Sequence, residues 1–124
     1  MKFYKCEGCG KLAVLFKESK CPTKCCGEAM QEVIPGTTDA AKEKHIPEVT
    51  CDGNLVTVKV GSVEHPMLEA HHIEWIILET ETGFQKKDLD PTGKPEAVFA
   101  LAPGEKPVAA YESCNLHGIW KAEI

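Results

Sequence analysis

The sequence predicts an all-β protein in which a small metal-binding domain precedes an antiparallel β-sandwich. Short apolar runs are separated by glycine and proline at the spacing typical of a sandwich, and only one short segment has helical character. Metal-binding residue types are also segregated, because five of the seven cysteines precede residue 27 and all five histidines follow residue 44. These observations predict a boundary near residue 36, with domains at 1–36 and 37–124.

The first domain is predicted to contain short strands at Leu12–Phe16 and Met30–Ile34. A domain of this length cannot bury a self-sufficient apolar core and usually needs a metal, a disulfide or a partner. Cys6 and Cys9 form a CxxC loop that brings two thiolates to one side. Their partners are expected among three later cysteines, namely Cys21, Cys25 and Cys26. Four thiolates suit iron and zinc equally, so this pattern leaves the metal open.

The second domain is predicted to begin after a linker at Pro35–Asp39, which is rich in turn-forming residues. Asp39–Lys44 is expected to form a single helical turn, capped by Thr38 or Asp39. Alternation of apolar and polar residues, or continuous apolar character, then predicts four strands, at Leu55–Val60, Ile73–Leu78, Ala97–Leu101 and Val108–Tyr111.

Four of the histidines and one cysteine are expected at strand ends or turns, where loops of a rigid sandwich converge. They are His45, His65, His71, Cys114 and His117. A single histidine is more often a satisfied surface or core residue than a ligand. The CxxH spacing of Cys114 and His117 is more informative, because two residues three apart on a turn can chelate one ion.

Composition excludes several classes of function. The net charge of −5 and the absence of a basic stripe argue against nucleic-acid binding. No apolar run approaches the roughly 20 residues that span a bilayer, and the first residues lack the apolar segment of a signal peptide. We therefore expect a cytoplasmic protein without membrane association, in which metal ligation explains the cysteines better than disulfides do.

Several separated motifs resemble those of the desulfoferrodoxin family, in the family's order and over nearly the whole chain. In the second domain they are Glu43–Pro47, Gly61–Met67, His72–Trp75 and Cys114–Lys121. The segment from Tyr4 to Gly27 resembles the desulforedoxin-type domain of the same family. The resemblance implies an immunoglobulin-like sandwich, similar to neelaredoxin, after a desulforedoxin-like domain.

The same resemblance implies two iron ions per chain. His45, His65, His71 and His117 would be equatorial ligands of one iron and Cys114 its axial ligand, while Cys6, Cys9, Cys25 and Cys26 would hold the other. Zinc is also possible at the four-cysteine site. His72, Cys21 and Cys51 have no ligand role in the family pattern, although Cys21 is near enough to Cys25 in sequence to compete.

The implied activity is that of a superoxide reductase, which reduces superoxide by one electron to hydrogen peroxide at a ferrous centre. Five protein ligands leave one position of an octahedral ion open, and a thiolate opposite that position increases electron density there. Lys44 would attract the anion and orient a proton-donating water, and Glu43 would occupy the open position after turnover. The resemblance further implies a rubredoxin-like electron donor and a homodimer.

Two other functions are compatible with parts of the pattern. A non-catalytic protein with zinc in the four-cysteine site and incidental histidines would be colourless. An electron-transfer protein with two closed iron sites would not respond to azide or cyanide. Nothing in the residues excludes a slow dismutase activity beside the reductase activity.

Overall fold

The computed structural model describes residues 1–124 and divides the chain into two compact units, Met1–Ile34 and Pro35–Ile124. Nearly all of the regular secondary structure in both units is antiparallel strand, so the predicted fold class is confirmed. The roles assigned to 1–36 and 37–124, a metal domain and a catalytic domain, stay predictions. None of the helices has both the length and the apolar character needed to cross a bilayer.

The small unit contains five short strands. They are β1 (Phe3–Lys5), β2 (Leu12–Val14), β3 (Lys24–Cys25), β4 (Glu28–Ala29) and β5 (Gln31–Val33). A three-stranded sheet has the order β2-β1-β5, and β3 pairs with β4 in a separate hairpin. Only Phe3, Cys6 and Met30 are buried apolar residues here, so burial alone provides this unit with little stability.

The large unit contains one helical turn and seven strands. They are α1 (Lys42–His45), β6 (Pro47–Asp52), β7 (Leu55–Val60), β8 (Ile73–Thr80), β9 (Phe84–Asp88), β10 (Glu96–Ala100), β11 (Pro107–Cys114) and β12 (Gly118–Glu123). One sheet has the order β10-β7-β6 and the other β12-β11-β8-β9. Inward residues of both sheets form one apolar cluster that includes Val58, Ile76, Phe99 and Ala110. This is the predicted sandwich.

Local sequence explains why the central strands form where they do. In β7, Val56, Val58 and Val60 are almost fully buried, while the residues between them are more exposed, as the period of two predicts. The predicted helix cap is wrong. The helix begins later than expected, at Lys42, and Ala41 occupies the N-cap position without a side-chain hydrogen bond, so neither Thr38 nor Asp39 caps it.

Candidate metal centres

Five potential metal ligands of the large unit converge at one end of the sandwich. Each offers one ligand atom, and these atoms all lie within 4.8 Å of one another; the residues are His45, His65, His71, Cys114 and His117. His45 is the last residue of α1, Cys114 is the last residue of β11, and His117 immediately precedes β12. His65 and His71 lie in the connection from β7 to β8. The structure therefore brings all five predicted residues together.

The four imidazoles are arranged as a square, which we call the histidine square. Ring centroids of neighbouring members are 4.7 Å apart for His45 and His65, 4.6 Å for His65 and His71, 5.1 Å for His71 and His117, and 5.0 Å for His117 and His45. Adjacent ring planes are inclined by 74–89°. These four contacts complete the square, so each imidazole contacts two others edge to face.

Backbone carbonyls orient two of the four imidazoles, those of His45 and His65. Nδ1–H of His45 donates to the carbonyl of Ala41 at 2.7 Å, and Nδ1–H of His65 donates to that of Pro66 at 2.7 Å. The remaining Nε2 atoms carry lone pairs and lie 3.2 Å apart. Two lone pairs facing each other at that distance repel unless a cation lies between them. His71 Nε2 is buried and has no hydrogen-bond partner, which is also explained by a metal ligand role.

The donor set fits a six-coordinate ion such as iron. Ligands at right angles on metal–imidazole bonds of about 2.1 Å are about 3.0 Å apart, and the Nε2 of His45 lies 3.2 Å from donor nitrogens of both His65 and His117. Cys114 Sγ lies 3.5 Å from His65 Nε2 and 3.8 Å from His117 Nδ1. Because Cys114 belongs to the apolar core, its sulfur reaches the square from the protein interior. An octahedral ion held by these five donors would have one position left for a further ligand, whereas a structural zinc site closes at four.

Burial keeps three of the histidine ligands neutral, which is the form that a metal requires, but it opposes ionisation of Cys114. It lowers the pKa of His65 to about 4 and also lowers the pKa values of His45 and His71, so these imidazoles are neutral at neutral pH. Burial raises the pKa of the Cys114 thiol, although backbone N–H groups of Leu116 and His117 oppose this. A bound cation would favour the thiolate and displace its proton.

Glu112 is a buried residue near this centre that the sequence did not reveal as important. It lies on β11 and is fully buried, and neither carboxyl oxygen has a hydrogen-bond partner. Burial, and to a lesser extent the charge of Glu74, raises the pKa of Glu112 to about 9. The carboxyl group of Glu112 is therefore a polar group on the apolar side of the centre, and no protein donor forms a hydrogen bond to it.

Asn115 is a second residue missed at the sequence level, and it joins two of the ligand-bearing loops. Its Oδ1 accepts a hydrogen bond from the backbone N–H of His72 at 2.9 Å, and its Nδ2 donates to the carbonyl of Ala70 at 3.1 Å. Its backbone N–H donates to the carbonyl of His72 at 3.1 Å. These three bonds hold the segment carrying His71 against the loop between Cys114 and His117.

We expect Asn115→Ala to weaken metal retention at the histidine square by about tenfold, because groups that orient ligands typically contribute that much to affinity. Asn54→Ala is the matched control, since Asn54 Nδ2 likewise donates to a carbonyl of a distant segment, that of Leu101, at 3.1 Å. Both variants should lose about 1 kcal/mol of stability per hydrogen bond. Chelator competition followed by metal analysis measures the difference, and equal retention in the two variants would contradict a positioning role for Asn115.

Glu43 and Lys44 lie on α1, directly before His45, and both side chains are exposed. The carbonyl of Glu43 accepts hydrogen bonds from Val63 N–H at 2.9 Å and Ser62 Oγ at 3.3 Å. Lys44 lines a cavity of about 520 Å³ together with His65. The structure thus places both residues at the surface beside the histidine square.

The small unit contains a second group of ligands, the four-cysteine cluster of Cys6, Cys9, Cys25 and Cys26. Its sulfur atoms all lie within 4.8 Å of one another, and Cys9 Sγ is 3.6 Å from Cys25 Sγ. Thiolates at about 2.3 Å from a tetrahedral ion are about 3.8 Å apart, so the spacing fits iron or zinc. Cys26 has a positive φ of 54° and Gly27 one of 78°, a turn that lets adjacent cysteines share a site.

The protonation behaviour of this cluster also suits a cation. The backbone N–H of Cys9 is the main cause that lowers the pKa of Cys6 to about 7. Hydrogen bonds to Cys6, Cys9 and Cys25 raise the pKa of Cys26 to about 12. The Cys6 thiol therefore loses its proton readily, whereas the Cys26 thiol keeps its proton. A bound metal is needed to ionise all four cysteines of the cluster.

Three candidate residues lie outside both centres. Cys21 and Cys51 are exposed, and neither belongs to a cluster. His72 uses Nδ1–H to donate to the carbonyl of Leu68 at 2.9 Å and is not a member of the histidine square.

Comparison with known proteins connects this geometry to one family. The family model described as Desulfoferrodoxin matches residues 37–123. The chain is 42% identical to the desulfoferrodoxin of Syntrophotalea carbinolica, over 99% of this chain and 96% of that protein. It is 45% identical to the desulfoferrodoxin of Nitratidesulfovibrio vulgaris, over 98% of this chain and 95% of that protein.

Solved structures show the same relationship. The superoxide reductase of Treponema pallidum matches with a TM-score of 0.81 at 42% identity, covering 98% of each chain. The superoxide reductase of Giardia intestinalis, described as a 1Fe protein, matches with a TM-score of 0.53 at 35% identity. That match covers 67% of this chain and 98% of the Giardia protein.

Proposed function

The chain belongs to the desulfoferrodoxin family, and from this premise we propose that it is a superoxide reductase. It takes one electron from a donor and, with two protons, converts superoxide to hydrogen peroxide. The observation that carries the proposal is the histidine square with Cys114 on its inner face, which leaves the outer face for a small anion.

The chain's own residues prepare this site before any substrate arrives. Iron bound in the square would supply the electron to superoxide. The imidazoles of His45, His65 and His71 stay neutral, so these three ligands add no positive charge of their own. The carbonyls of Ala41 and Pro66 fix two of the rings. Cys114 would supply the single anionic ligand, and its thiolate would donate electron density to a bound iron.

Lys44 and Glu43 are proposed to act at the outer face. The protein has a net charge of −5, so a superoxide anion needs local positive charge to approach. Lys44 lines the cavity beside His65 and supplies that charge, and its ammonium group orients a water that donates a proton. The Glu43 carboxylate would serve as a further ligand of an oxidised ion in the square.

We expect Lys44→Ala to lower the second-order rate constant with superoxide by about tenfold, because an attractive charge and a proton-donor contact are lost together. The dependence of the rate on ionic strength should weaken as well. Lys44→Arg is the control, since it preserves the charge and should keep most of the rate. Stopped-flow mixing of reduced protein with superoxide measures both effects. An unchanged rate in Lys44→Ala would show that Lys44 is an ordinary solvated lysine without a role in the reaction.

The four-cysteine cluster is proposed to hold a second iron, with zinc as the alternative. Electrons are proposed to come from a small carrier of the rubredoxin class.

We further propose that the protein is a homodimer, because the small unit buries only three apolar side chains while Leu12 and Ile34 stay exposed. The exposed thiols of Cys21 and Cys51 support a reducing compartment, the cytoplasm.

Metal content of protein purified without oxygen is the first test of this function. Two irons per chain, or one iron with one zinc, agree with a reductase, whereas zinc alone after expression with ample iron would contradict the proposal. Addition of azide to the oxidised protein then separates a reductase from a closed electron-transfer site. A shift of the visible absorption band is expected if the sixth position is open, and no response would favour electron transfer.

A further inference from the structure

A groove beside the histidine square contains a second lysine whose role the established motifs do not explain. The cavity of about 520 Å³ that includes Lys44 and His65 is also lined by Glu64 and Lys94. A second cavity of about 290 Å³ adjoins it and again includes Glu64 and Lys94. We call this surface, from Lys44 to Lys94, the lysine groove.

Backbone hydrogen bonds fix Lys94 close to the metal centre although it is distant in sequence. The N–H of Val60 donates to the carbonyl of Pro95 at 2.9 Å, and the carbonyl of Val60 accepts from the N–H of His65 at 2.9 Å. Residue 60 therefore joins the segment after Lys94 directly to a member of the histidine square. The turn before Lys94 is also held, because Gly93 N–H donates to the carbonyl of Asp90 at 3.0 Å.

Charge in the groove differs from charge on the molecule as a whole. Lys44 and Lys94 form no ion pair, whereas Lys59 in the adjoining cavity is 3.8 Å from a carboxylate oxygen of Glu96. Glu64 is the one acidic side chain of the larger cavity, so two lysines leave it with a net positive charge. The whole chain, in contrast, has a net charge of −5. A small anion is repelled by most of the surface and attracted here.

We propose that the lysine groove is a capture site for small inorganic anions and that Lys94 guides superoxide along it to the outer face of the histidine square. The inference rests on the proposed function for its substrate, and the groove itself is defined by Lys44, Lys94 and Glu64. Lys94 provides attraction at longer range, and Lys44 receives the anion next to His65. Glu64 reduces the attraction, so its removal has the opposite effect.

The kinetic test compares four variants of the reduced, iron-loaded protein with superoxide at low ionic strength. One unit charge about 10 Å from the site changes the rate about twofold, so Lys94→Ala should be about twofold slower and Lys94→Glu about fourfold slower than wild type. Glu64→Gln should be about twofold faster. All three differences should shrink in high salt.

Lys106→Ala is the matched control, because it removes the same charge at the far end of the sandwich. The carbonyl of Lys106 accepts from Glu81 N–H at 3.0 Å, just beyond the end of β8, while His71 lies before its start. That strand spans about 25 Å, and at this distance one unit charge changes the rate by only about 1.3-fold even without screening by salt. A change no larger than this in Lys106→Ala assigns the effects to the groove rather than to net charge.

A binding measurement tests the groove without using activity. Azide is titrated into ¹⁵N-labelled, zinc-loaded protein while amide shifts of Gly93, Lys94 and Glu64 are followed. Lys94→Ala should bind azide at least about twofold more weakly than wild type, and Lys106→Ala should bind it equally well.

The two measurements separate failure of the groove from failure of the function. Wild-type protein that reduces superoxide, with Lys94 variants unchanged in rate and salt dependence, would overturn the groove and leave the reductase intact. Wild-type protein without reductase activity would contradict the proposed function. Azide binding would then show whether the lysine groove is still an anion site. Weaker binding in Lys94→Ala supports an anion site, and equal binding overturns it.

Discussion

Cys114→Ser is expected to lower superoxide reduction by at least about 100-fold, because ligand-orienting groups already contribute about 10- to 100-fold and this change removes a ligand itself. The serine hydroxyl is a hard oxygen donor that stays protonated at neutral pH, so the only anionic ligand is lost. The sulfur of Cys114 lies within 3.8 Å of two donor nitrogens and is buried in the core, so no other thiol can replace it.

His117→Ala should have an effect of similar size, since it opens one corner of the histidine square and removes the donor 3.2 Å from His45 Nε2. In both variants the four-cysteine cluster should keep its metal, because it lies in the other compact unit. Cys51→Ser is the matched control, since Cys51 is an exposed thiol in the same unit as Cys114 and outside both centres. Metal analysis with superoxide kinetics measures all three, and wild-type rates in Cys114→Ser would show that the site is misassigned.

Gly61→Ala is expected to cost about 1–3 kcal/mol of stability, the range for inserting an atom into a packed region. It should also lower the reductase rate about tenfold. A Cβ at this position would lie 2.6 Å from the carbonyl oxygen of Glu43, 3.0 Å from the carbonyl carbon of Lys44 and 3.1 Å from the nitrogen of His45. All three atoms are backbone, so the helical turn α1 must move. That movement displaces one ligand and both residues proposed to act on the anion, and small displacements at a reacting centre are costly.

Gly83→Ala provides the control for backbone freedom, because a Cβ there meets nothing within 4 Å. It should change stability by no more than about 0.5 kcal/mol, as surface substitutions usually do. Chemical denaturation gives the stabilities and stopped-flow kinetics gives the rates. Equal stability and equal rate for Gly61→Ala and Gly83→Ala would contradict the close approach of Gly61 to α1.

Strands with regular patterns were predictable from sequence, and polar or very short ones were not. The alternating valines of β7 and the continuous apolar run of β8 have the periods that buried strands require. In contrast, β9 (Phe84–Asp88) is largely polar and exposed because it is the edge of its sheet. The pair of β3 and β4 has two residues in each strand, too few to form any periodic pattern. Pairing across the sheet, which local sequence does not encode, creates these elements.

The metal ligands were predictable because each lies in a recognisable local motif, whereas their supporting residues were not. Asn115 contacts His72 across a separation of 43 residues, and nothing near Asn115 in sequence indicates that pairing. Lys94 reaches the centre only through the hydrogen bonds of Pro95 and His65 to residue 60. The choice between Cys21 and the adjacent pair Cys25 and Cys26 also depended on tertiary structure, which gathers the pair and leaves Cys21 exposed.

The yield of hydrogen peroxide per superoxide consumed tests the central claim most directly. Reduced, iron-loaded protein should be mixed with a limiting pulse of superoxide under anaerobic conditions, and hydrogen peroxide and oxygen should both be measured. The reductase account predicts one hydrogen peroxide for each superoxide and no oxygen from the wild-type protein. In Cys114→Ser, superoxide is left to dismutate spontaneously, so half as much hydrogen peroxide and an equal amount of oxygen are expected. The same half yield with oxygen from the wild-type protein would indicate dismutation and contradict the account.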